Sequence, residues 1–167
     1  YKQERLTFNG KKFFVYKFRS MIVNAESKSG AVLASKNDSR ITPVGKIVRA
    51  CRLDELPQFI NVLKGDMSLV GPRPERPEIA DDYYKTLPEF GYRLKIKAGL
   101  TGYAQLYGKY NTTPYDKLQL DLMYIQNYSF LLDIKLILMT VKIMFMKEST
   151  EGFTKENSKK INEKSKK

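Results

Sequence analysis

Histidine is absent from these 167 residues, and cysteine occurs once, as Cys51. Without histidine there is no Ser-His-Asp or Cys-His nucleophile pair and no histidine-bearing zinc site. A lone cysteine forms neither an intrachain disulfide nor a thiolate cluster, which is compatible with a reducing compartment. Neither a Walker A sequence nor G-x-G-x-x-G occurs, so both of those phosphate-binding loops are excluded. No run of eighteen uncharged apolar residues is available to span a bilayer. An enzyme built on this chain must therefore find its side-chain nucleophile or base among carboxylates, lysine, serine and tyrosine.

What the chain does have is positive charge. Thirty Lys and Arg face 18 Asp and Glu, a formal net charge of +12. Such a field attracts anions, whether nucleic acid, anionic lipid headgroups or phosphorylated substrates, and composition does not choose among them. The length suffices for one domain with a real core.

The most informative stretch is Arg52-Leu53-Asp54-Glu55-Leu56-Pro57-Gln58, followed by Gly65-Asp66-Met67-Ser68-Leu69-Val70-Gly71-Pro72-Arg73-Pro74-Glu75. Leu56, Phe59, Ile60 and Leu63 have the i, i+3, i+4, i+7 spacing of one apolar helix face. Asp54 stands where an N-cap belongs, Glu55 suits the first turn, Pro57 is tolerable there, and Gly65 ends the helix. A cap needs no further role. The second reading of Asp54 comes from its company: two adjacent carboxylates precede an arginine fixed between two prolines. Arg73, with a narrowed backbone and paired guanidinium donors, is suited to gripping an oxyanion. Its plainer reading is an exposed turn residue.

Around this centre, Asn9-Gly10 predicts a two-residue hairpin turn between strands at 5–8 and 11–19. In the second strand Phe14, Tyr16 and Phe18 share one face, and Val15, Lys17 and Arg19 the other. Residues 21–41 read as a polar loop. Thr42-Pro43 predicts a capped helix to about Arg52, with Val44, Ile47, Val48 and Cys51 inward and Arg49 and Arg52 on a shared face. A short helix is expected over 78–86, an extended segment at 94–97 and a strand at 103–107. Gly99-Leu100-Thr101-Gly102 would let the backbone approach a ligand closely. Thr113-Pro114-Tyr115-Asp116 fits a capping box opening a helix. Ser129 caps a final helix over 130–147, apolar over most of its circumference, with Lys135 and Lys142 on a narrow polar stripe. Such a helix is either core or lies in a membrane interface. The remainder, 148–167, reads as a Lys-rich, solvated and disordered tail beyond a single domain at 1–147. The fold expected is α/β (α+β): several helices with short strands, including an N-terminal β-hairpin.

Lys17-Phe18-Arg19-Ser20-Met21, the Asp54-Glu55 stretch, Asn61 to Pro74, Gly99-Leu100-Thr101-Gly102 and Ser129 to Lys135 occur in an order that resembles the bacterial sugar transferase family, the monotopic polyprenyl-phosphate phosphoglycosyl transferases. The resemblance covers about residues 1–146. It departs at Ala98, where the family commonly has proline.

The resemblance implies transfer of a phosphosugar from a UDP-sugar to polyprenyl (undecaprenyl) phosphate, with release of UMP, at the start of a surface polysaccharide. It also implies an Asp-Glu dyad with Mg²⁺, here Asp54 and Glu55. Asp54, expected to be ionised beside Arg49 and Arg52, would be the nucleophile of a covalent intermediate. Glu55 would bind Mg²⁺ or take a proton from the acceptor. Lys17, Arg19, Arg49, Arg52, Arg73 and Gln105 become candidate substrate- and phosphate-binding residues. The family places such a domain at the cytoplasmic face of a bacterial membrane, behind an upstream membrane segment that this chain would lack. A homo-oligomer is compatible with the sequence. Two rival readings are a basic nucleic-acid binder, for which no groove-reading motif appears, and an inactive scaffold.

Overall fold

The computed structural model describes residues 1–25, 38–108 and 112–144. Strands β1 (Lys2–Leu6) and β2 (Lys12–Tyr16) pair antiparallel, with Lys2 opposite Tyr16 and Leu6 opposite Lys12. Asn9 and Gly10 take φ of 54° and 73°, and the Lys11 N–H donates to Phe8 O at 3.1 Å. Both central residues thus have the positive φ that Asn-Gly supplies in a hairpin turn. The strands are shorter at the turn than expected. Alternation sends Phe13 and Val15 inward, at 7% and 1% exposure, and leaves Phe14 and Phe18 outside.

Helix α1 (Pro43–Ala50) starts as the sequence predicts, with the Thr42 hydroxyl accepting from Gly45 N and proline in its first turn. Its facing is not as expected. Val44, Ile47 and Cys51 are exposed, and the buried position is Gly45. A Cβ on Gly45 would lie 2.0 Å from Ser20 O, so the helix docks backbone to backbone through its smallest residue.

Helix α2 (Gln58–Leu63) is also turned outward. Leu56, Phe59, Ile60 and Leu63 are exposed, while Gln58 and Asn61 are buried. Asn61 explains the orientation. Its Oδ1 accepts from Tyr16 N at 3.0 Å and its Nδ2 donates to Phe14 O at 2.8 Å, so one amide imitates a strand along the free edge of β2. Gly65, at φ 77°, ends the helix as predicted. Met67 then packs with Phe13, Val15 and Val62 in the first core cluster.

Strand β3 (Ser68–Val70) pairs in parallel with β4 (Gly99–Thr101). A Cβ on Gly99 would stand 2.1 Å from Gly71 N, so this glycine serves the approach of two protein backbones. That corrects its assignment to a ligand. Helix α3 (Pro77–Thr86) and a 3₁₀ segment (Pro88–Lys95) connect the two strands; the latter takes Leu94 and Lys95 from the extended run expected at 94–97, and the chain becomes extended at Ile96. Residues Tyr103–Tyr107 form helix α4, not a strand. Gly102 O accepts from Gln105 N and Leu106 N, and Tyr103 stacks on Tyr107 with ring centroids 5.2 Å apart.

The capping box at Thr113 and Asp116 opens α5 (Pro114–Gln126) as predicted. The Ser129 hydroxyl accepts from Leu132 N at the start of α6 (Phe130–Met144). This last helix has two sides. Leu136 is fully buried with Val70 and Tyr124 in the second core cluster, while Phe130, Leu131 and Leu138 are exposed. No described helix is long and apolar enough to cross a membrane. Much of the expected loop, 26–37, and the expected tail, 148–167, lie outside the described residues.

Candidate active site

The dyad sits in a tight turn rather than on a helix. Leu53–Glu55 is a single 3₁₀ turn, entered through Arg52 in the left-handed conformation at φ 53°. Helix α2 begins only at Gln58, flanked by Pro57, and no side chain caps it. Asp54 is therefore not an N-cap, which corrects the helix-start reading. Its main-chain oxygen instead accepts from Phe18 N at 3.0 Å, anchoring the turn to the chain leaving β2.

That anchor brings Lys17 beside the dyad, and the Pro-Arg-Pro corner after β3 supplies Arg73. Lys17 Nζ and Arg73 Nη2 both donate to Glu55 Oε1, at 3.2 and 2.6 Å. The Glu55 side chain is only 15% exposed, whereas that of Arg73 is 39% exposed. Asp54, half-buried, makes no ion pair and no side-chain hydrogen bond to another described residue.

These surroundings push the two neighbouring carboxylates in opposite directions. Burial would raise Glu55, but the charges of Arg73 and then Lys17 outweigh it and hold Glu55 well below the carboxylate range. Asp54 goes up, chiefly through burial and then through the negative charge of Glu55, against the pull of Lys17 and Arg49. Of the two arginines expected beside Asp54, Arg49 does favour its ionised form, but burial and Glu55 outweigh that pull. Burial lowers Lys17 more than Glu55 restores it. A pair of acids split by its environment is the usual sign of two different roles.

The profile of the family described as bacterial sugar transferase matches residues 1–147. The chain belongs to the bacterial sugar transferase family. It is 43% identical over 143 residues to a UDP-N-acetylgalactosamine-undecaprenyl-phosphate N-acetylgalactosaminephosphotransferase of Aeromonas hydrophila, covering 84% of this chain and 34% of that protein. It is 42% identical over 154 residues to a UDP-glucose:undecaprenyl-phosphate glucose-1-phosphate transferase of Klebsiella pneumoniae, covering 89% and 33%. With the uncharacterized sugar transferase EpsL of Bacillus subtilis it shares 39% over 152 residues, covering 90% and 72%. The chain spans about a third of the length of the first two relatives.

In this bacterial sugar transferase the predicted site residues divide into two groups. Lys17, Asp54, Glu55 and Arg73 meet, and Arg49 is close enough to act on Asp54. Arg19 is exposed, and neither it nor Arg52 forms an ion pair among the described residues. Gln105 is tied elsewhere: its Nε2 donates to Leu100 O at 3.3 Å and Gly99 O at 3.4 Å, steadying β4 with no bond to the dyad. Sequence reasoning missed Arg5, Arg93 and Asp121, which lie behind Arg73. Isolated charges in helical or strand segments carry no signal that distinguishes them from solvated ones.

No group of three or more acidic, histidine or cysteine residues among the described ones could by itself cage a metal. Mg²⁺ asks for less. It keeps several waters and takes one or two carboxylates together with substrate phosphates. Because Glu55 Oε1 is engaged by two cations, the Asp54 carboxylate and Glu55 Oε2 are the oxygens this site offers. Hard oxygen donors of that kind fit Mg²⁺.

Proposed function

We propose that this chain is the catalytic part of a transferase that moves a phosphosugar from a UDP-sugar to polyprenyl phosphate, releasing UMP. The observation that carries the proposal is the split dyad: Glu55 is locked to Lys17 and Arg73, and Asp54 beside it forms no ion pair among the described residues. The names of the relatives supply the substrate classes.

An Asp54 oxygen attacks the sugar-bearing phosphorus. The new O–P bond forms as the bond from that phosphorus to the bridging oxygen breaks, and UMP departs with the oxygen. A phosphate oxygen of the polyprenyl acceptor then attacks the same phosphorus. The acyl phosphate breaks, Asp54 is regenerated and the polyprenyl-diphosphate-sugar forms. Lys17 and Arg73 neutralise charge on the diphosphate. Glu55 keeps the two cations together. Its depressed pKa makes it a poor base, and none is needed, since a phosphate monoester with a second pKa of about 6 is largely ionised at neutral pH. The Asp54 and Glu55 oxygens would hold Mg²⁺, which would supply further charge neutralisation when bound.

The proposal includes a membrane interface on the cytoplasmic side. Exposed apolar residues bracket the dyad along the chain, with Val44 and Ile47 before it and Leu56, Phe59, Ile60 and Leu63 after it. An acceptor anchored by a polyprenyl tail presents its phosphate at such a surface. Together with the net charge of +12, these side chains should take the protein to anionic vesicles, less so at high salt.

The test is UMP release with Mg²⁺ and a panel of UDP-sugars, followed by mass spectrometry for a phosphosugar adduct on Asp54. Asp54→Asn should abolish release while remaining folded. Full activity in that variant excludes the nucleophile role. Vesicle flotation tests the interface separately, and absence of binding at every salt concentration overturns it.

A further inference from the structure

The corner that carries Arg73 is gripped almost entirely by its carbonyls. Pro72 and Pro74 have no N–H to offer, so main-chain donors cannot pin them. Pro72 O accepts from Gly99 N at 2.9 Å, and Glu75 O accepts from Leu6 N at 3.0 Å. The two carbonyls between them are taken by side chains. Arg93 Nη2 donates to Arg73 O at 2.8 Å, and Arg5 Nη1 donates to Pro74 O at 3.0 Å.

Arg93 is 2% exposed and Asp121 is 1% exposed. Arg93 Nη2 lies 2.7 Å from Asp121 Oδ2, a charge contact, while its directed hydrogen bond goes to Arg73 O. On the other side Nη1 faces Glu75 Oε1 at 3.4 Å, and Lys117 Nζ reaches the same oxygen at 2.5 Å. Burying so many charges costs several kcal/mol per ion before pairing offsets it, and apolar packing often serves stability as well. What an apolar side chain cannot do is hold the main-chain oxygen of Arg73.

We propose that Arg93, steadied by Asp121 and Glu75, is a positioning residue that sets the orientation of Arg73 through the Arg73 main-chain carbonyl. The inference rests on the reading of Arg73 as a ligand of the substrate diphosphate. Arg93 touches no substrate. It removes freedom from a guanidinium that must meet phosphate oxygens in a fixed geometry, where a misplacement of about 1 Å costs on the order of 100-fold in rate.

Arg93→Lys keeps the charge facing Asp121 and Glu75 but loses the planar fork that serves Arg73 O at the same time. Two measurements on the full chain decide the matter. One is a double-mutant cycle on kcat/KM for UMP release. Arg93→Lys should lower it by about 10- to 100-fold in the parent and produce no further loss in an Arg73→Ala background. An equal factor in both backgrounds, or parental kcat/KM in folded Arg93→Lys, overturns the proposal. The other is the Arg73 side-chain Nε–H signal by NMR without substrate. It should be sharp in the parent, where Glu55 holds the guanidinium, and broadened in Arg93→Lys. An unchanged signal overturns the proposal even if the parent releases no UMP, and that second failure would count against the transferase reading alone. Where Arg93→Lys does not fold, Asp121→Asn, which retains Arg93 and the side-chain volume, carries the same two measurements.

Discussion

Arg73 Nη2 lies 2.6 Å from Glu55 Oε1, and Lys17 Nζ reaches that same oxygen. One carboxylate oxygen thus holds two cations from distant parts of the chain. Glu55→Gln removes the charge that reconciles them. The expected outcome is loss of kcat by roughly 100-fold, because charge neutralisation at the transferring phosphate is no longer organised. KM for the UDP-sugar should stay level or fall, since freed cations still attract a diphosphate. Steady-state kinetics of UMP release separate the two parameters, and a rise in KM with kcat intact contradicts this view of Glu55.

Asp54→Asn should lose activity without losing stability. Burial and the neighbouring Glu55 charge raise the Asp54 pKa, so the folded state disfavours its ionised form at neutral pH. A neutral amide of the same size relieves that cost. Thermal denaturation should show equal or higher stability, by about 0.5–1 kcal/mol, in a variant with no activity. A clear loss of stability would mean that the Asp54 charge has a partner the fold depends on.

The same shift fixes the sign of a pH profile. As the proposed nucleophile, Asp54 would have to be deprotonated to attack, and its pKa lies above the ordinary value of 3.8. Activity should fall as pH drops through a midpoint higher than 3.8, with Glu55 still ionised there because its pKa is depressed. The acid limb of kcat/KM for UMP release, recorded on the parent chain, measures that midpoint. A limb at or below the ordinary value rejects the assignment.

Signals confined to a few residues were legible. Thr42-Pro43 and the Thr113–Asp116 box each specify a local backbone state and form as read, while Asn9-Gly10 takes the positive φ it favours in a loop of three residues, Phe8–Gly10, one longer than expected. The grouping of Lys17, Glu55 and Arg73 at one site was implied by the family resemblance that their motifs carry. Facing was not legible. Periodicity identifies an apolar stripe over Leu56, Phe59, Ile60 and Leu63, but the stripe faces outward because Asn61 on the other side is bonded to β2. The Asp54 cap failed for a related reason. Arg52 adopts a positive φ, uncommon for a side-chain-bearing residue, and the turn it creates delays the helix to Gln58.

Asn61 should accordingly be among the costliest single residues to replace. Asn61→Leu keeps the branched shape of the side chain but leaves Tyr16 N–H and Phe14 O without their partners. The expected loss is about 3 kcal/mol, from two main-chain groups stripped of their bonds to a fully buried side-chain amide. Chemical denaturation measures it. A loss below about 1 kcal/mol would mean that water reaches the β2 edge and substitutes for the amide.

Acid stability should trace to Glu75. Burial would raise its pKa, but Lys117 and Arg93 outweigh it and bring it down to about 2 from the ordinary 4.5. A depressed carboxylate contributes stability that is fully present above the unfolded pKa and lost as pH falls through the folded one. The window therefore runs from 4.5 down to about 2. The difference between those pKa values corresponds to about 3 kcal/mol. Asp121 works against this trend, since burial raises its pKa and its protonation on acidification relieves a buried charge. Glu75→Gln should be less stable than the parent at neutral pH, with Arg93 and Lys117 stripped of a shared partner. As pH drops through the window, the parent loses the same interaction and the two denaturation midpoints converge. A gap that stays constant from pH 6 to 2 would assign the acid sensitivity to another carboxylate.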